Sequence, residues 1–174
     1  MRFLLPLVIF AALCGFLWKG LSLTDKTLAS TLIGQSAPAF QLNTVEDPNR
    51  WVSEDIFRGK ITLLNVWASW CHSCQKEHEV WMTVVKPADI ALVGLNYHDT
   101  REEAGRWLQS HGNPYRLNIL DERGRLGMDY GVTGTPETFV IDKNGVIRYR
   151  HVGPVDREVW DKKLFPLVEA LQKS

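Results

Sequence analysis

The hydrophobic positions of the chain fall into short, almost continuously apolar runs and longer stretches with helical spacing. Residues 60–67 and 90–95 are apolar nearly throughout, which is typical of parallel strands that are covered on both faces. Between these runs, apolar side chains recur at helical spacing from residue 74 until a Lys-Pro step at residues 86–87. The pattern therefore predicts a strand–helix–strand unit in the middle of the chain.

A second helix and a further strand are predicted after this unit. Thr100 and Glu103 form a capping-box pair, an apolar helical face follows, and Gly112 offers a C-terminal stop. Residues 117–120 then form a short apolar run that predicts a strand. The order of elements is that of an α/β domain.

The last third of the chain predicts a hairpin and a closing helix. Residues 137–142 and 146–151 are strand candidates, and the Asn144–Gly145 step between them favours a tight turn. Because a hairpin adds antiparallel strands to a parallel unit, the sheet should be mixed. Asp156 can cap the last helix, which Pro166 should kink or interrupt.

The N-terminal segment is laid out like an export signal, since Arg2 precedes an uncharged apolar run over residues 3–18. At ~1.5 Å per residue the run spans roughly 24 Å as a helix, against a hydrocarbon core of ~30 Å. No convincing small-x-small cleavage site follows it. We therefore expect an uncleaved membrane anchor over residues 1–23, with the N-terminus in the cytoplasm and the remainder across the membrane in an oxidising compartment.

After this anchor, a linker is expected over residues 24–34 and one globular domain over residues 35–174, opening with a short edge strand at residues 36–42. The chain has 174 residues, 20 Lys and Arg, 20 Asp and Glu, and a formal net charge of zero. This balance lacks the basic stripe that phosphate binding requires, so nucleic acid is excluded as a partner.

The cysteine pair Cys71 and Cys74 lies between the first predicted strand and its helix. A helix N-terminus presents free N–H groups and partial positive charge, which favour the thiolate of Cys71 as the attacking sulfur. Cys74 is close enough to resolve the mixed disulfide that forms. The alternatives are a structural disulfide and half of a zinc site, which would need two further ligands. We expect a redox-active Cys71–Cys74 disulfide, with no other cofactor and no metal.

Two neighbours of the pair are candidate supporting residues. His72 could stabilise the thiolate when protonated, or it could be an exposed spacer without a defined partner. Trp70 could shield the sulfur and offer an apolar platform to a substrate, or it could pack in the core as Trp67 does.

The segment Trp-Ala-Ser-Trp-Cys-x-x-Cys at residues 67–74 resembles the thioredoxin superfamily. The resemblance implies a thioredoxin-like α/β fold, with a central mixed sheet flanked by helices. It also implies a cis-proline facing the cysteines, preceded by a residue whose backbone pairs with an extended substrate. These positions correspond to Pro136 and Thr135, and a trans turn proline is the alternative.

A closer resemblance links the chain to the thioredoxin-like proteins of cytochrome c maturation, called CcmG or DsbE. It rests on residues 63–68, 112–115, 131–139 and 147–151. It implies a membrane-anchored periplasmic reductant whose substrate is apocytochrome c or the haem-ligation machinery. The bond that it reduces would be a disulfide of the haem-binding cysteines or a mixed disulfide that these cysteines form. It further implies that a membrane thiol reductase of the DsbD or CcdA kind supplies the electrons.

The chain departs from ordinary thioredoxins at Asn65, where they carry a buried Asp that takes the proton of the resolving thiol. An amide cannot act as a base. Glu77 follows Cys74 by three positions and Glu137 directly follows Pro136, so either carboxyl could exchange protons with Cys74. The alternative for both is an ordinary surface position.

Three rival functions share parts of this pattern. A general periplasmic thioredoxin-like reductase would use the same residues on other clients. A peroxidase is suggested by the Pro-x-Phe-x-Leu segment at residues 38–42, although peroxiredoxins carry their nucleophile in another motif. A non-catalytic haem or apocytochrome chaperone would bind its partner near Trp70 and Pro136. The motif alone does not separate reduction from oxidation, because direction depends on the potential of the pair.

Overall fold

The computed structural model describes residues 4–22, 32–85 and 90–173. Its first segment is helix α1 (Leu4–Ser22), which carries exposed apolar side chains such as Phe10 and Phe16. In these three ranges, no helix combines the length and the apolar character needed to cross a membrane. The anchor expected over residues 1–23 stays a prediction, and residues 24–31 of the expected linker lie outside the described ranges.

The larger of the two sheets among the described residues has five strands in the order β5–β4–β3–β6–β7. Its parallel half consists of β3 (Thr62–Trp67), β4 (Ala91–Tyr97) and β5 (Leu117–Asp121). On the other side of β3, β6 (Glu137–Ile141) pairs antiparallel and continues into β7 (Ile147–Val152). The expected mixed sheet and hairpin are confirmed.

The central strand β3 is buried on both faces, as its apolar run predicts. Leu63 and Trp67 pack in the core layer on one face of the sheet. Leu64 and Val66 pack in the core layer on the opposite face. Since side chains alternate along a strand, Asn65 faces the same layer as Leu63 and Trp67. This alternation directs Asn65, the polar side chain in the middle of β3, toward the helix that follows the strand.

That helix, α2 (His72–Val84), begins immediately after Cys71 and places Cys74, Glu77 and Trp81 on its buried face. The stop expected at residues 86–87 lies outside the described residues. Helix α3 (Arg101–His111) has Thr100 as its N-cap, and the Thr100 hydroxyl accepts a hydrogen bond from the Glu103 backbone N–H at 3.3 Å. The helix and its Thr100 N-cap are confirmed, but the reciprocal bond of a capping box is absent, because the Thr100 backbone N–H donates to Asp99 Oδ1.

The strand expected over residues 36–42 is wrong in most of its length. Ser36 forms only a single bridge to Val146, and Pro38 has no N–H to contribute to a ladder. The regular strand is β1 (Gln41–Asn43), which pairs with β2 (Trp51–Ser53) in a separate two-stranded sheet. The pattern did not predict β2, because three residues are too few to show a period.

Short helical segments complete the domain. A 3₁₀ turn (Glu54–Phe57) follows β2, and α4 (Arg125–Asp129) follows β5. The closing helix is interrupted as expected. It consists of α5 (Arg157–Val159), a π-helical turn (Trp160–Leu164) and α6 (Phe165–Gln172). The wide turn ends two residues before Pro166, whose ring would clash with a carbonyl of a regular α-helical turn.

Candidate active site

The cysteine pair lies where β3 passes into α2. Cys71 is the N-cap of α2, and its Sγ accepts a hydrogen bond from the Cys74 backbone N–H at 3.1 Å. Cys71 and Cys74 form a disulfide, with 5.3 Å between their Cα atoms. Both are buried in this form, Cys71 being 6 % exposed and Cys74 2 %. The backbone dipoles at the start of α2 therefore point at Cys71, as the sequence predicts.

Trp70 lies on the surface beside Cys71 and not in the core. Its side chain is 59 % exposed, and its Nε1–H donates to the His98 carbonyl at 2.9 Å. Trp67, by contrast, is buried and donates to Asn118 Oδ1 at 2.9 Å. The interpretation of Trp70 as a core residue is therefore wrong, and its indole is available to a bound chain.

Pro136 lies at the cysteine end of the sheet. The Thr135–Pro136 peptide is cis, so the trans alternative is wrong. Glu137, the next residue, is in register with Val66 near the end of β3. This register brings Thr135 and Pro136 alongside the segment that leads into Cys71.

Glu77 is a buried carboxyl one helical turn after Cys74. Its Oε1 accepts a hydrogen bond from Asn65 Nδ2 at 2.8 Å, and its Oε2 accepts one from the Val155 backbone N–H at 3.0 Å. Only 1 % of the residue is exposed, so the surface alternative is wrong. Residues three apart share a helix face, which places Glu77 on the same buried side as Cys74.

Burial raises the pKa of Glu77 to about 7, although the Val155 N–H and the Asn65 amide act in the opposite direction. Tyr115 donates its hydroxyl to Asn65 Oδ1 at 2.7 Å. Burial, together with the charge on Glu77, raises the pKa of Tyr115 well above its usual range, so Tyr115 stays a proton donor. With its pKa raised to about 7, Glu77 is the member of this network that can exchange a proton near neutral pH.

Glu137 is also buried, but its carboxyl is fully engaged in a different way. It forms an ion pair with Arg150, with 2.7 Å between Arg150 Nη2 and Glu137 Oε2. The Thr133 backbone N–H and hydroxyl donate to its other oxygen at 2.9 and 2.8 Å. The surface alternative is wrong here too. Glu137 anchors the turn that precedes Pro136, whereas Glu77 has no ion pair with any other described residue.

His72 is the first residue of α2 and is exposed. Its imidazole has no hydrogen bond or ion pair with any other described residue. This position agrees with the interpretation of His72 as a spacer.

Two contributors to the site were not identified from the sequence. Asp99 follows β4 and contacts the loop that carries Trp70; its signal was a polar residue just past the carboxyl end of a parallel strand. Tyr115 reaches Asn65 across 50 positions of sequence, so no local pattern could have indicated it.

Comparison with known proteins gives a consistent result. The chain matches the redoxin family over residues 32–164. It is 43% identical over 177 aligned positions to the thiol:disulfide interchange protein DsbE of Escherichia coli K12, covering 98% of this chain and 95% of the relative. The DsbE of Pseudomonas aeruginosa is 46% identical over 168 positions, covering 97% and 93%. A solved structure from Chlorobium tepidum, provisionally assigned as a DsbE, superposes with a TM-score of 0.63 at 27% identity, covering 79% of this chain and 95% of that chain.

Proposed function

Since this chain belongs to the redoxin family, among its thiol:disulfide interchange proteins DsbE, we propose that it is a membrane-anchored periplasmic reductant of cytochrome c maturation. That it exchanges thiols and disulfides with protein partners follows from the family and from its cysteine pair. The observation that carries the reaction is the Cys71–Cys74 disulfide at the N-terminus of α2, with buried Glu77 one turn further on.

The first step is attack by Cys71 on the substrate disulfide. In the reduced protein, the Cys71 thiolate forms a bond to one substrate sulfur, and the other substrate sulfur leaves as a thiolate. The Cys74 N–H that lies 3.1 Å from Cys71 Sγ, together with the helix dipole, favours the thiolate in this position. The product is a mixed disulfide between Cys71 and the substrate.

The second step releases the substrate and uses Glu77. Cys74 must lose its proton before it can attack Cys71 Sγ, and the Glu77 carboxylate on the same helix face accepts it. The bond from Cys71 to the substrate then breaks, the Cys71–Cys74 bond forms, and two electrons have passed to the substrate. Asn65 holds Glu77 by its amide, so the proton acceptor belongs to α2 and not to the central strand.

An extended substrate is proposed to lie between Thr135 and Trp70. The backbone of Thr135, which precedes the cis-proline, offers hydrogen bonds to a passing chain. The exposed Trp70 indole, held by its bond to the His98 carbonyl, offers an apolar face beside the sulfur. The Glu137–Arg150 ion pair keeps the turn before Pro136 in place.

The proposed substrates are the haem-binding cysteines of apocytochrome c, or mixed disulfides that these form with the haem-ligation machinery. The proposed electron donor is a membrane thiol reductase of the DsbD or CcdA type, because an oxidising compartment offers no soluble reductant. Arg2 before an apolar segment and the exposed apolar side chains of α1 support a location at the inner membrane, with the domain on the periplasmic side.

Trapping in cells tests this proposal. In a Cys74→Ala variant the mixed disulfide on Cys71 cannot be resolved, so captured partners can be identified after non-reducing purification. We expect c-type apocytochromes or their assembly partners, and no adduct in the Cys71→Ala, Cys74→Ala double variant. A broad set of envelope proteins would instead indicate a general reductase. Cytochrome c maturation that proceeds normally in the double variant would indicate a non-catalytic chaperone.

A further inference from the structure

The loop between β4 and α3 holds the loop that carries Cys71. Asp99 Oδ2 accepts a hydrogen bond from the Ser69 backbone N–H at 2.6 Å, and its Oδ1 accepts one from the Ser69 hydroxyl at 2.9 Å. The Trp70 indole adds a third bond, to the His98 carbonyl. Three hydrogen bonds therefore join the two residues before Cys71 to the two residues that follow β4.

Asp99 is a buried acceptor for four donors. It is 3 % exposed, and besides Ser69 it accepts from Asn96 Nδ2 at 2.9 Å and from the Thr100 backbone N–H at 2.9 Å. All four partners donate, so the side chain acts only as an acceptor, as an ionised carboxylate does. No lysine or arginine within the described ranges forms an ion pair with it. Among the described residues, its negative charge is therefore balanced by these four hydrogen-bond donors and by no cation in an ion pair.

The loop that presents Asp99 is itself fixed. His98 has a φ of +49°, and its N–H donates to the Asp121 carbonyl at 3.1 Å. The His98 ring fills the space beside Gly124, where an added Cβ would lie 2.3 Å from His98 Nε2. His98, which precedes Asp99, is thus held by Asp121 at the end of β5 and by Gly124. Movement of Asp99 would therefore also disturb these contacts.

We propose that Asp99 is a positioning residue for Cys71 whose buried charge makes the cysteine pair more reducing. Ser69 precedes Cys71 by two residues, so their Cα atoms are at most about 7 Å apart. Asp99 contacts Ser69 directly, so its buried charge lies beside the loop that carries Cys71, and an anion in this position disfavours a thiolate on Cys71. The dithiol form is thereby destabilised relative to the disulfide, which lowers the reduction potential of the pair.

The proposal rests on the redox activity of the pair, and it supplies a physical reason for the reducing direction under the proposed function. It separates two opposing effects at Cys71. The N-terminus of α2 favours the thiolate, and Asp99 opposes it, so the equilibrium of the pair is set by their balance.

Equilibration with glutathione tests the proposal. Two molecules of reduced glutathione supply two electrons and two protons, the Cys71–Cys74 bond breaks, and one molecule of glutathione disulfide forms. Asp99→Asn keeps an acceptor for Ser69 but removes the charge. We expect its equilibrium to shift about tenfold toward the dithiol, which corresponds to about 30 mV for a two-electron couple.

Ser69→Ala should shift the equilibrium with glutathione in the opposite direction from Asp99→Asn. It keeps the Asp99 charge and removes one of the four donors that balance it, so we expect a shift of about two- to threefold toward the disulfide. Glu169→Gln, which removes an exposed carboxylate from α6, is the matched control and should leave the equilibrium unchanged.

Loosening of the loop alone would move both variants in the same direction, since each removes a contact between the same two loops. Shifts of the two variants in the same direction, or an Asp99→Asn equilibrium equal to that of the wild type, would overturn the proposal. If Asp99→Asn does not fold, Ser69→Ala decides, because no shift or a shift toward the dithiol contradicts the charge effect. A wild-type protein that does not exchange with glutathione or with protein thiols would instead count against the proposed function itself.

Discussion

Asn65 of the central strand donates its side-chain amide to Glu77 of α2 at 2.8 Å, inside the core. Ordinary thioredoxins, which this chain resembles, place an aspartate at the position of Asn65. Here the strand supplies a donor and the helix supplies the acid. Under the proposed function the role of proton acceptor therefore falls to Glu77, and Asn65 holds that carboxyl by its amide.

Glu77→Gln should slow release of the substrate while leaving the first attack unchanged. The amide cannot accept the proton of Cys74, and loss of a general base lowers a rate by about a hundredfold or more. Stopped-flow mixing of the reduced protein with a disulfide peptide should show accumulation of the mixed disulfide on Cys71. Glu79→Gln, an exposed residue two positions along α2, is the control and should resolve as fast as the wild type. Equal resolution rates in both variants would exclude Glu77 as the base.

The same carboxyl should make the oxidised domain less stable as pH rises. The pKa of Glu77 is about 7 in the folded protein and 4.5 for a free glutamate, so between these values the folded state binds more protons than the unfolded state. Stability contributed by the neutral carboxyl is present below pH 4.5 and is lost by about pH 7. The loss is on the order of 3 kcal/mol.

Denaturant unfolding of the oxidised protein at pH 5 and pH 8 measures this effect. The free energy of unfolding of the wild type should fall relative to that of Glu77→Gln over this interval. Comparing the two proteins removes the contribution of other titrating groups, such as His78, whose pKa is lowered mainly by burial. Parallel pH profiles for the two proteins would contradict the raised pKa of Glu77.

Tyr115→Phe should destabilise the domain by about 1–3 kcal/mol, because it leaves the buried Asn65 Oδ1 without its donor. Tyr149→Phe is a suitable control, since Tyr149 is a half-buried residue whose hydroxyl makes no hydrogen bond with other described residues. Urea unfolding at constant pH should separate the two variants. A Tyr115→Phe protein as stable as the control would show that the bond to Asn65 contributes nothing.

Arg150→Met should be among the most damaging single changes outside the cysteine motif. It leaves Glu137 buried without its ion-pair partner, which costs about 3–5 kcal/mol. Arg157→Met removes an exposed pair with Asp161 and should cost less than about 1 kcal/mol. Thermal unfolding of both variants tests this ranking. Similar losses of stability would mean that the buried pair stabilises the fold no more than the exposed pair does.

The sheet and the position of the cysteines were predictable because their signals are local. The apolar run of β3, the N-cap at Thr100 and the Asn-Gly turn of the hairpin each lie within a few residues. The pairing of β1 with β2 was not predictable, since neither strand is long enough to show alternation.

The cysteine pair could be identified from the sequence, but the acid that serves it could not. Glu77 and Glu137 are both carboxyls that closely follow a motif, three positions after Cys74 and one position after Pro136. They differ in their long-range partners: Glu77 meets Val155 across 78 positions, and Glu137 meets Arg150 across the β6–β7 pair. Only the folded chain shows that Glu137 is paired with an arginine, whereas Glu77 is buried among neutral hydrogen-bond donors.

The most direct test of the account is a single-turnover transfer of electrons to a peptide. The reduced protein would be mixed with an apocytochrome peptide whose Cys-x-x-Cys-His cysteines are joined in a disulfide. We predict that one equivalent of peptide becomes dithiol while the Cys71–Cys74 disulfide forms, and that Cys71→Ser abolishes the transfer. A wild-type protein that leaves the peptide oxidised, or a Cys71→Ser variant that reduces it equally well, would contradict the account.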